Sequence, residues 1–175
     1  MHRRQVLASA FAGLSTVAGC LRLQEAEGTA EFPPDGVDLL IQITAEQFRW
    51  VFEPDTDIGT QEGQLVIPAN TTIGFAVSSV DVWHTFGIPD LGLKVDAVPG
   101  EMATTWIATD EVSQVDTFHT ETTAYDAEHH QAECFELCGD GHNEMTADIY
   151  VVSRADYREY ISDLDGTIPE DLAHD

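Results

Sequence analysis

Short runs of apolar and β-branched residues, separated by clusters of Asp, Gly and Pro, fill most of the chain between residues 37 and 152. Such runs, with turn-forming residues at these intervals, are typical of the strands of an antiparallel sandwich or barrel. The strands are predicted at residues 37–45, 47–52, 64–69, 71–79, 83–88, 102–108, 115–120 and 146–152. The pattern therefore predicts one all-β domain without internal repeats.

A helical period replaces this pattern after residue 152. Ser153 followed by Asp156 resembles a helix start, because a Ser side chain can accept a free N–H group of the first turn. One face of the next segment would carry Tyr157, Tyr160, Ile161 and Leu164. We expect a short amphipathic C-terminal helix that covers the sandwich, and a frayed acidic tail from Gly166 onward.

The N-terminus has the layout of an export signal, since Arg3 and Arg4 precede an apolar stretch of small residues without acids. The arginine pair resembles a twin-arginine signal. Residues 17–20 (VAGC) resemble a lipobox, in which Cys20 becomes the lipidated first residue. An uncleaved signal anchor is the alternative, although the stretch is shorter than the ~20 apolar residues of an ordinary membrane span. Four parts are expected: an export signal at 1–19, a lipid-anchored linker at 20–36, the β domain at 37–153, and a helix with an acidic tail at 154–175.

The charge of the chain is strongly negative. Thirty-two Asp and Glu residues face seven Lys and Arg residues, and the formal net charge is −25. This charge argues against nucleic acid or an anionic membrane surface as the partner. The acids are spread through segments that also hold Val, Ile, Phe and Trp, which favours adaptation of the whole surface to high salt over a disordered acidic tail. At ~1 M salt the Debye length is only ~3 Å, so docking would rest on short-range contacts.

Two thiols, an imidazole and a thioether gather in residues 133–145 (ECFELCGDGHNEM), as Cys134, Cys138, His142 and Met145. These soft donors favour copper over calcium, magnesium or manganese. A disulfide between the cysteines would leave His142 and Met145 unexplained. A zinc site that includes His84 has no use for Met145, and a mononuclear blue-copper site leaves one thiolate without a role. A dinuclear copper site uses every residue, but the ligand chemistry alone leaves these alternatives open.

The same segment resembles the copper-binding loop of cytochrome c oxidase subunit II, whose pattern is Cys-x-Glu-x-Cys-x-x-x-His-x-x-Met. Residues 78–100 (SSVDVWHTFGIPDLGLKVDAVPG) resemble that family's segment with the first histidine ligand, and residues 45–55 (AEQFRWVFEPD) resemble its aromatic strand. The three motifs occur in the family's order. The resemblance implies a cupredoxin-like Greek-key β-sandwich at residues 37–153, which carries a dinuclear copper (CuA) centre.

By this resemblance, the two cysteines of the loop would bridge two copper ions. His84 and Met145 would complete the coordination of one copper, and His142 with the backbone carbonyl of Glu136 would complete the other. The Glu136 side chain would face a magnesium ion at the interface with the catalytic subunit.

The family's aromatic strand lies near the copper and provides the region where the electron enters. Phe48 and Trp50 occupy that position here, and the alternative is that both are core aromatics. Asp81 and Asp96 are candidate docking acids by the same comparison.

The remaining tryptophans and three further histidines are assigned no functional role. Trp83 and Trp106 are predicted to lie in the sandwich core. Solvated loop positions are predicted for three histidines, His119, His129 and His130.

The resemblance implies subunit II of a terminal haem–copper oxidase, which accepts electrons from a small copper protein or cytochrome and passes them to haem in subunit I. No catalysis is expected from the chain alone. The alternative is a free-standing lipid-anchored electron carrier, or the donor module of another reductase such as a nitric oxide reductase, because most relatives carry transmembrane helices ahead of the copper domain. A non-redox zinc or disulfide protein is a third class. The expected location is the extracytoplasmic face of the membrane.

Overall fold

The computed structural model of the protein describes residues 30–113 and 116–174. The predicted export signal, the lipidation site at Cys20 and most of the predicted linker lie outside the described residues. Within the described part, no helix is long and apolar enough to cross a membrane.

The described residues form two β-sheets. In chain order their strands are β1 (Leu39–Glu46), β2 (Arg49–Pro54), β3 (Gln61–Glu62), β4 (Gln64–Pro68), β5 (Thr72–Ser79), β6 (His84–Ile88), β7 (Leu93–Ala97), β8 (Ala103–Ala108), β9 (Asp116–His119), β10 (Ala124–Cys134) and β11 (Thr146–Val152). The first sheet has the order β3-β2-β1-β5-β8, and the second has the order β4-β11-β10-β6-β7, with β9 also paired to β10. Most neighbours are antiparallel, but β1 is parallel to β5 and β4 is parallel to β11.

The two sheets pack against each other over an aromatic cluster centred on Phe86 of β6. The centroid of its ring lies 4.9 Å from that of Trp50, 6.1 Å from that of Phe52 and 6.4 Å from that of Phe75. Phe86 belongs to the second sheet and the other three belong to the first. Aromatic pairs of this kind add about 0.5–1.5 kcal/mol each beyond the area they bury. The predicted all-β sandwich is confirmed.

The predicted C-terminal helix is present as α1 (Arg154–Asp163). The Ser153 hydroxyl accepts the backbone N–H of Asp156, which caps the first turn. Leu164 does not belong to the apolar face, because it ends the helix and is exposed. The face that packs on the sandwich consists of Tyr157, Tyr160 and Ile161.

The segment after α1 is packed, so the expectation of a frayed tail is wrong for the described residues. Leu172, in a 3₁₀ turn at Glu170–Leu172, is almost completely buried. The Arg154 guanidinium donates to the backbone carbonyls of Asp171 and His174, at 2.5 and 3.2 Å. One buried leucine and these hydrogen bonds hold an otherwise acidic segment on the domain.

The strand prediction missed the longest strand of the described chain. β10 has 11 residues (AYDAEHHQAEC) and pairs with β11 and β9 and, at one end, with β6. Its composition is rich in Ala, His and acids, which have weak strand preference, and its position inside the sheet overrides that preference. β3 and β7 were also not predicted.

Two further expectations are corrected by the structure. Trp83 and Trp106 are 52% and 39% exposed, so neither belongs to the core. The three histidines lie on strands and not on solvated loops: His119 ends β9, while His129 and His130 lie inside β10. His130 is buried.

Candidate metal centre

The predicted ligands come from two places at one end of the sandwich. His84 is the first residue of β6, and Cys134 is the last residue of β10. The other predicted donors lie on the segment that connects β10 to β11, which we call the ligand loop (residues 135–145): Glu136, Cys138, His142 and Met145. Because β6 pairs with the end of β10, the start of β6 lies beside this loop.

The side chains of these residues converge on the two thiols. The sulfurs of Cys134 and Cys138 are 3.9 Å apart. His84 Nδ1 lies 3.8 Å from Cys134 Sγ, and the Glu136 carbonyl oxygen lies 3.2 Å from the same sulfur. Two further donors surround Cys138 Sγ, at 3.7 Å for His142 Nδ1 and 3.8 Å for Met145 Sδ. The structure thus brings all six predicted ligand residues together.

Both thiols are free and buried, with 8% of Cys134 and 5% of Cys138 exposed. Burial, together with the neighbouring Cys134 thiol, raises the pKa of Cys138 to about 11. The thiolate form of such a thiol is unfavourable by itself, and a cation at the cluster would offset the cost of burying its charge. Ligand atoms of His84, Cys134 and Cys138 lie within 4.8 Å of one another, which is the spacing of donors around a shared metal.

The donor set fits a soft metal ion. Thiolates and a thioether are soft donors that suit copper, and imidazole suits it as well. Zinc would use the thiols and imidazoles but not the Met145 sulfur, which faces the cluster from a completely buried side chain.

The His84 ring is held from behind by Asp81. Its Nε2 lies 2.8 Å from Asp81 Oδ1, so Nε2 carries the proton and Nδ1 is free to face the sulfurs. Asp81 also accepts the backbone N–H groups of Gln47 at 2.7 Å and Val82 at 2.6 Å. Burial raises the pKa of Asp81, but the hydrogen bonds from His84, Gln47 and Val82 outweigh it and lower that pKa to about 2. Sequence reasoning had assigned Asp81 to docking and missed this contact.

Asp96, the other candidate docking acid, is buried. Its Oδ1 accepts the Thr85 hydroxyl at 2.7 Å. The backbone carbonyl of Thr85 in turn accepts the N–H of Phe135 at 2.9 Å, at the start of the ligand loop. Asp96 therefore belongs to the support of the loop and is not part of a docking surface.

The two aromatic residues of the predicted entry region lie at different depths. Trp50 is completely buried; its ring centroid is 6.1 Å from that of His84, and its Nε1 lies 3.4 Å from the Met145 carbonyl oxygen. Phe48 is half-buried, and its ring lies over the glycines of the ligand loop, Gly139 and Gly141. Phe48 can contact a partner, whereas Trp50 contacts only groups inside the protein, among them the rings of His84 and Phe86.

Exposed apolar side chains flank the predicted ligands along the chain, and together we call them the apolar rim. Trp83 is exposed beside His84, and the ligand loop exposes 78% of Leu137. The other members of the apolar rim are Val80, Val82 and Phe135. Neighbouring apolar side chains in solvent are typical of a protein–protein contact surface. An excess of apolar residues in the segments that flank the ligands is the signal from which this rim could have been predicted.

Comparisons with known proteins agree with this geometry. The family described as cytochrome c oxidase subunit II, periplasmic domain, matches residues 46–152. The heme-copper oxidase subunit 2 of Aeropyrum pernix is 36% identical over 128 residues, which cover 71% of this chain and 49% of the relative. The probable cytochrome c oxidase subunit 2 of Rickettsia prowazekii is 33% identical over 147 residues, which cover 72% of this chain and 42% of the relative. The chain therefore spans less than half the length of these curated relatives.

A solved structure shows the same fold. The periplasmic domain of subunit II of the cytochrome oxidase of Bradyrhizobium japonicum superposes with a TM-score of 0.63 at 24% identity, covering 77% of this chain and 97% of that one. The cupredoxin-like architecture expected from the sequence is thereby confirmed. Since the family match covers more than half of the chain, this protein belongs to the cytochrome c oxidase subunit II family, through its periplasmic domain.

Proposed function

We propose that this chain binds a dinuclear copper (CuA) centre and transfers electrons as subunit II of a terminal haem–copper oxidase. The observation that carries the proposal is the pair of free, buried thiols 3.9 Å apart, each with an imidazole nitrogen within 3.8 Å. A mononuclear site would leave one thiol unused, and a zinc site would leave the Met145 sulfur unused.

In this assignment the thiolates of Cys134 and Cys138 would hold both copper ions. His84 and Met145 would complete the site of one copper, and His142 with the Glu136 carbonyl would complete that of the other. When bound, the copper pair supplies a one-electron carrier in which the electron is shared by both ions through the thiolates. The protein contributes a rigid arrangement of the donor atoms, which are held in place before the electron arrives.

Three contacts hold the donors. The Asp81 carboxylate fixes the His84 tautomer. The backbone N–H of Cys134 donates to the Met145 carbonyl at 3.1 Å and closes the base of the ligand loop. The Gln47 side-chain amide donates to the Cys138 carbonyl and joins the loop to the first sheet.

Electron entry takes place over the ligand loop, where Phe48 is half-buried. A small copper protein or a cytochrome is the donor, and haem in subunit I is the acceptor. Docking on the apolar rim suits a chain of charge −25, because apolar contact works when salt screens the charges. The exposed Glu136 side chain is the candidate for a magnesium ion at the contact with subunit I.

The family's domain is described as periplasmic, which agrees with an extracytoplasmic location at the membrane. Anchoring through a lipid on Cys20 belongs to the same proposal. The diacylglyceryl group of a lipoprotein supplies two chains, which is enough for stable anchoring.

Metal stoichiometry combined with electron paramagnetic resonance tests the copper assignment. We expect two coppers per chain and the spectrum of one electron shared by two copper nuclei. Cys138→Ser should lose the shared-electron spectrum and hold at most one copper. Cys20→Ser is the control, because it replaces a cysteine that lies outside the ligand loop, and it should keep both coppers. Two coppers in the Cys138→Ser protein would refute the assignment.

Co-purification tests the oxidase assignment separately. Detergent-solubilised membranes that contain the tagged chain should yield a haem-bearing subunit with it. If the chain carries copper and exchanges electrons but no haem subunit follows it, the free-standing carrier is correct instead.

A further inference from the structure

A gap interrupts the second sheet beside β10. On one edge β10 pairs with β11 from Ala127 to Glu133. On the other edge it pairs with β9 through Ala127, and with β6 only at Glu133 and Cys134. Among the described residues, no strand pairs with residues 128–132 on that second edge, and a pocket opens there.

The pocket is acidic and contains a buried imidazole. Its lining includes four carboxylates, and none of the described lining residues is Lys or Arg. His130 lines it from β10 with only 6% of its surface exposed. The four carboxylates belong to Asp90, Asp110, Asp116 and Glu128.

Among the described residues, nothing forms a hydrogen bond with one of the two nitrogens of the buried His130 ring. Its Nδ1 is buried without a hydrogen-bond partner among the described residues, and the nearest acid, Asp90 Oδ2, is 3.6 Å away. On the other side of the ring, Nε2 lies 3.5 Å from Glu128 Oε1. An unpaired buried nitrogen is costly, so its persistence points to a ligand.

The Nδ1-to-Oδ2 distance suits a shared metal ion better than a hydrogen bond. Imidazole nitrogen and carboxylate oxygen bind zinc at about 2.0–2.2 Å, which puts two donors of one tetrahedral ion about 3.4 Å apart. Imidazole with carboxylates suits a divalent transition metal, whereas magnesium and calcium prefer oxygen alone. A cation would also relieve the repulsion among the four carboxylates.

We propose that this pocket binds one divalent transition-metal ion of the zinc type. His130 Nδ1 and the Asp90 carboxylate are its protein ligands, and the other acids of the pocket supply negative charge. The site is separate from the thiol cluster, because His130 and Cys134 are four residues apart on β10, about 13 Å along the strand. It does not depend on the proposed copper function.

Zinc titration by calorimetry tests the site in the full-length chain with all three cysteines replaced by Ser, so that no thiol competes for the metal. A large excess of Mg²⁺ occupies the exposed carboxylates. We expect one equivalent of Zn²⁺ to bind in this background. His130→Gln should weaken that binding at least tenfold, and His119→Gln, on exposed β9, should leave it unchanged.

Asp90→Asn gives a second test that folding cannot obscure, because 71% of the Asp90 side chain is exposed. It should weaken zinc binding without changing the circular dichroism spectrum. With Co²⁺ as a paramagnetic probe, NMR signals around His130 should broaden first. The proposal is overturned if His130→Gln titrates like its parent, if Mg²⁺ abolishes zinc binding, or if Co²⁺ broadens signals elsewhere and not at His130.

Discussion

At the scale of single residues, the hydrogen bond between Asp81 and His84 decides which nitrogen of a buried imidazole faces the sulfurs. The Asp81 carboxylate is itself fixed by two backbone N–H groups, so the ring has little freedom to turn. A carboxylate behind a metal-binding histidine also makes the other nitrogen a better donor. Asp81 is therefore a positioning residue for the cluster, although part of it reaches the surface.

Asp81→Asn is expected to lower copper affinity by about 10–100-fold, because the amide keeps the shape of the side chain but loses its charge. Competition with a chelator of known affinity measures the effect. Asp140→Asn is the matched control, since it removes one charge from an exposed position on the ligand loop. Equal losses of copper affinity in the two variants would show that the total charge sets the affinity and the contact with His84 does not.

At the scale of elements, the ligand loop depends on close approach between its glycines and an aromatic ring. A Cβ atom at Gly141 would overlap the Phe48 ring, and one at Gly139 would lie 3.1 Å from Phe48 Cε1. Phe48 thus supports the loop that carries the ligands, besides being the candidate entry residue. These two roles can be separated by mutation.

Gly141→Ala is expected to destabilise the protein by about 1–3 kcal/mol, because the added methyl group overpacks the loop against the ring. Denaturant unfolding measures the loss. Phe48→Ala should relieve the collision, so that the double variant loses less than the sum of the two single variants. Simple additivity would mean that the ring does not limit the loop.

The C-terminal segment offers another comparison at this scale. Leu172→Ala is expected to cost about 2 kcal/mol or more of unfolding free energy, because it leaves a cavity under the segment. Leu164→Ala, at an exposed leucine, should stay within about 0.5 kcal/mol of the parent. Thermal and denaturant unfolding of both variants decide between a packed segment and a frayed one.

The local pattern of apolar and polar residues correctly predicted those strands whose composition matches their buried position in the sheet. β1, β5 and β11 carry Leu, Ile, Val or Phe at most of their buried positions, and they were placed within about two residues, an ordinary boundary error. β10 was missed because its Ala and His residues owe their strand conformation to pairing with β11 and β9, which lie elsewhere in the chain. Leu172 was missed for a similar reason, since nothing near it in sequence indicates that it is buried.

Most of the ligands could be predicted from one short segment, because two thiols, an imidazole and a thioether lie close together in the sequence. The residues that hold these ligands in place could not be predicted. Asp81 looks like any other acid in a chain with 32 of them, and only the folded structure brings it to His84. His130 likewise lies in an acidic stretch, and its burial follows from neighbours that are distant in the chain.

At the scale of the whole molecule, a net charge of −25 surrounds an apolar rim at the metal-binding end. Like charges repel one another, and added salt screens that repulsion. Removing NaCl should therefore lower the melting temperature steadily. Scanning calorimetry across a salt series measures this, with sucrose at equal osmolality as the non-ionic control. A melting temperature that does not depend on salt would contradict adaptation of the surface to high salt.

The parallel pairing of β4 with β11 has a consequence for biosynthesis. Gln64 pairs with Asp148, so a strand from the first half of the chain has no partner on this edge until the second half has been made. The second sheet can only close after translation has passed residue 152, and β4 must be kept from aggregating until then. This domain can therefore complete its folding only late in synthesis. A chain stalled on the ribosome before β11 would expose an unpaired sheet edge.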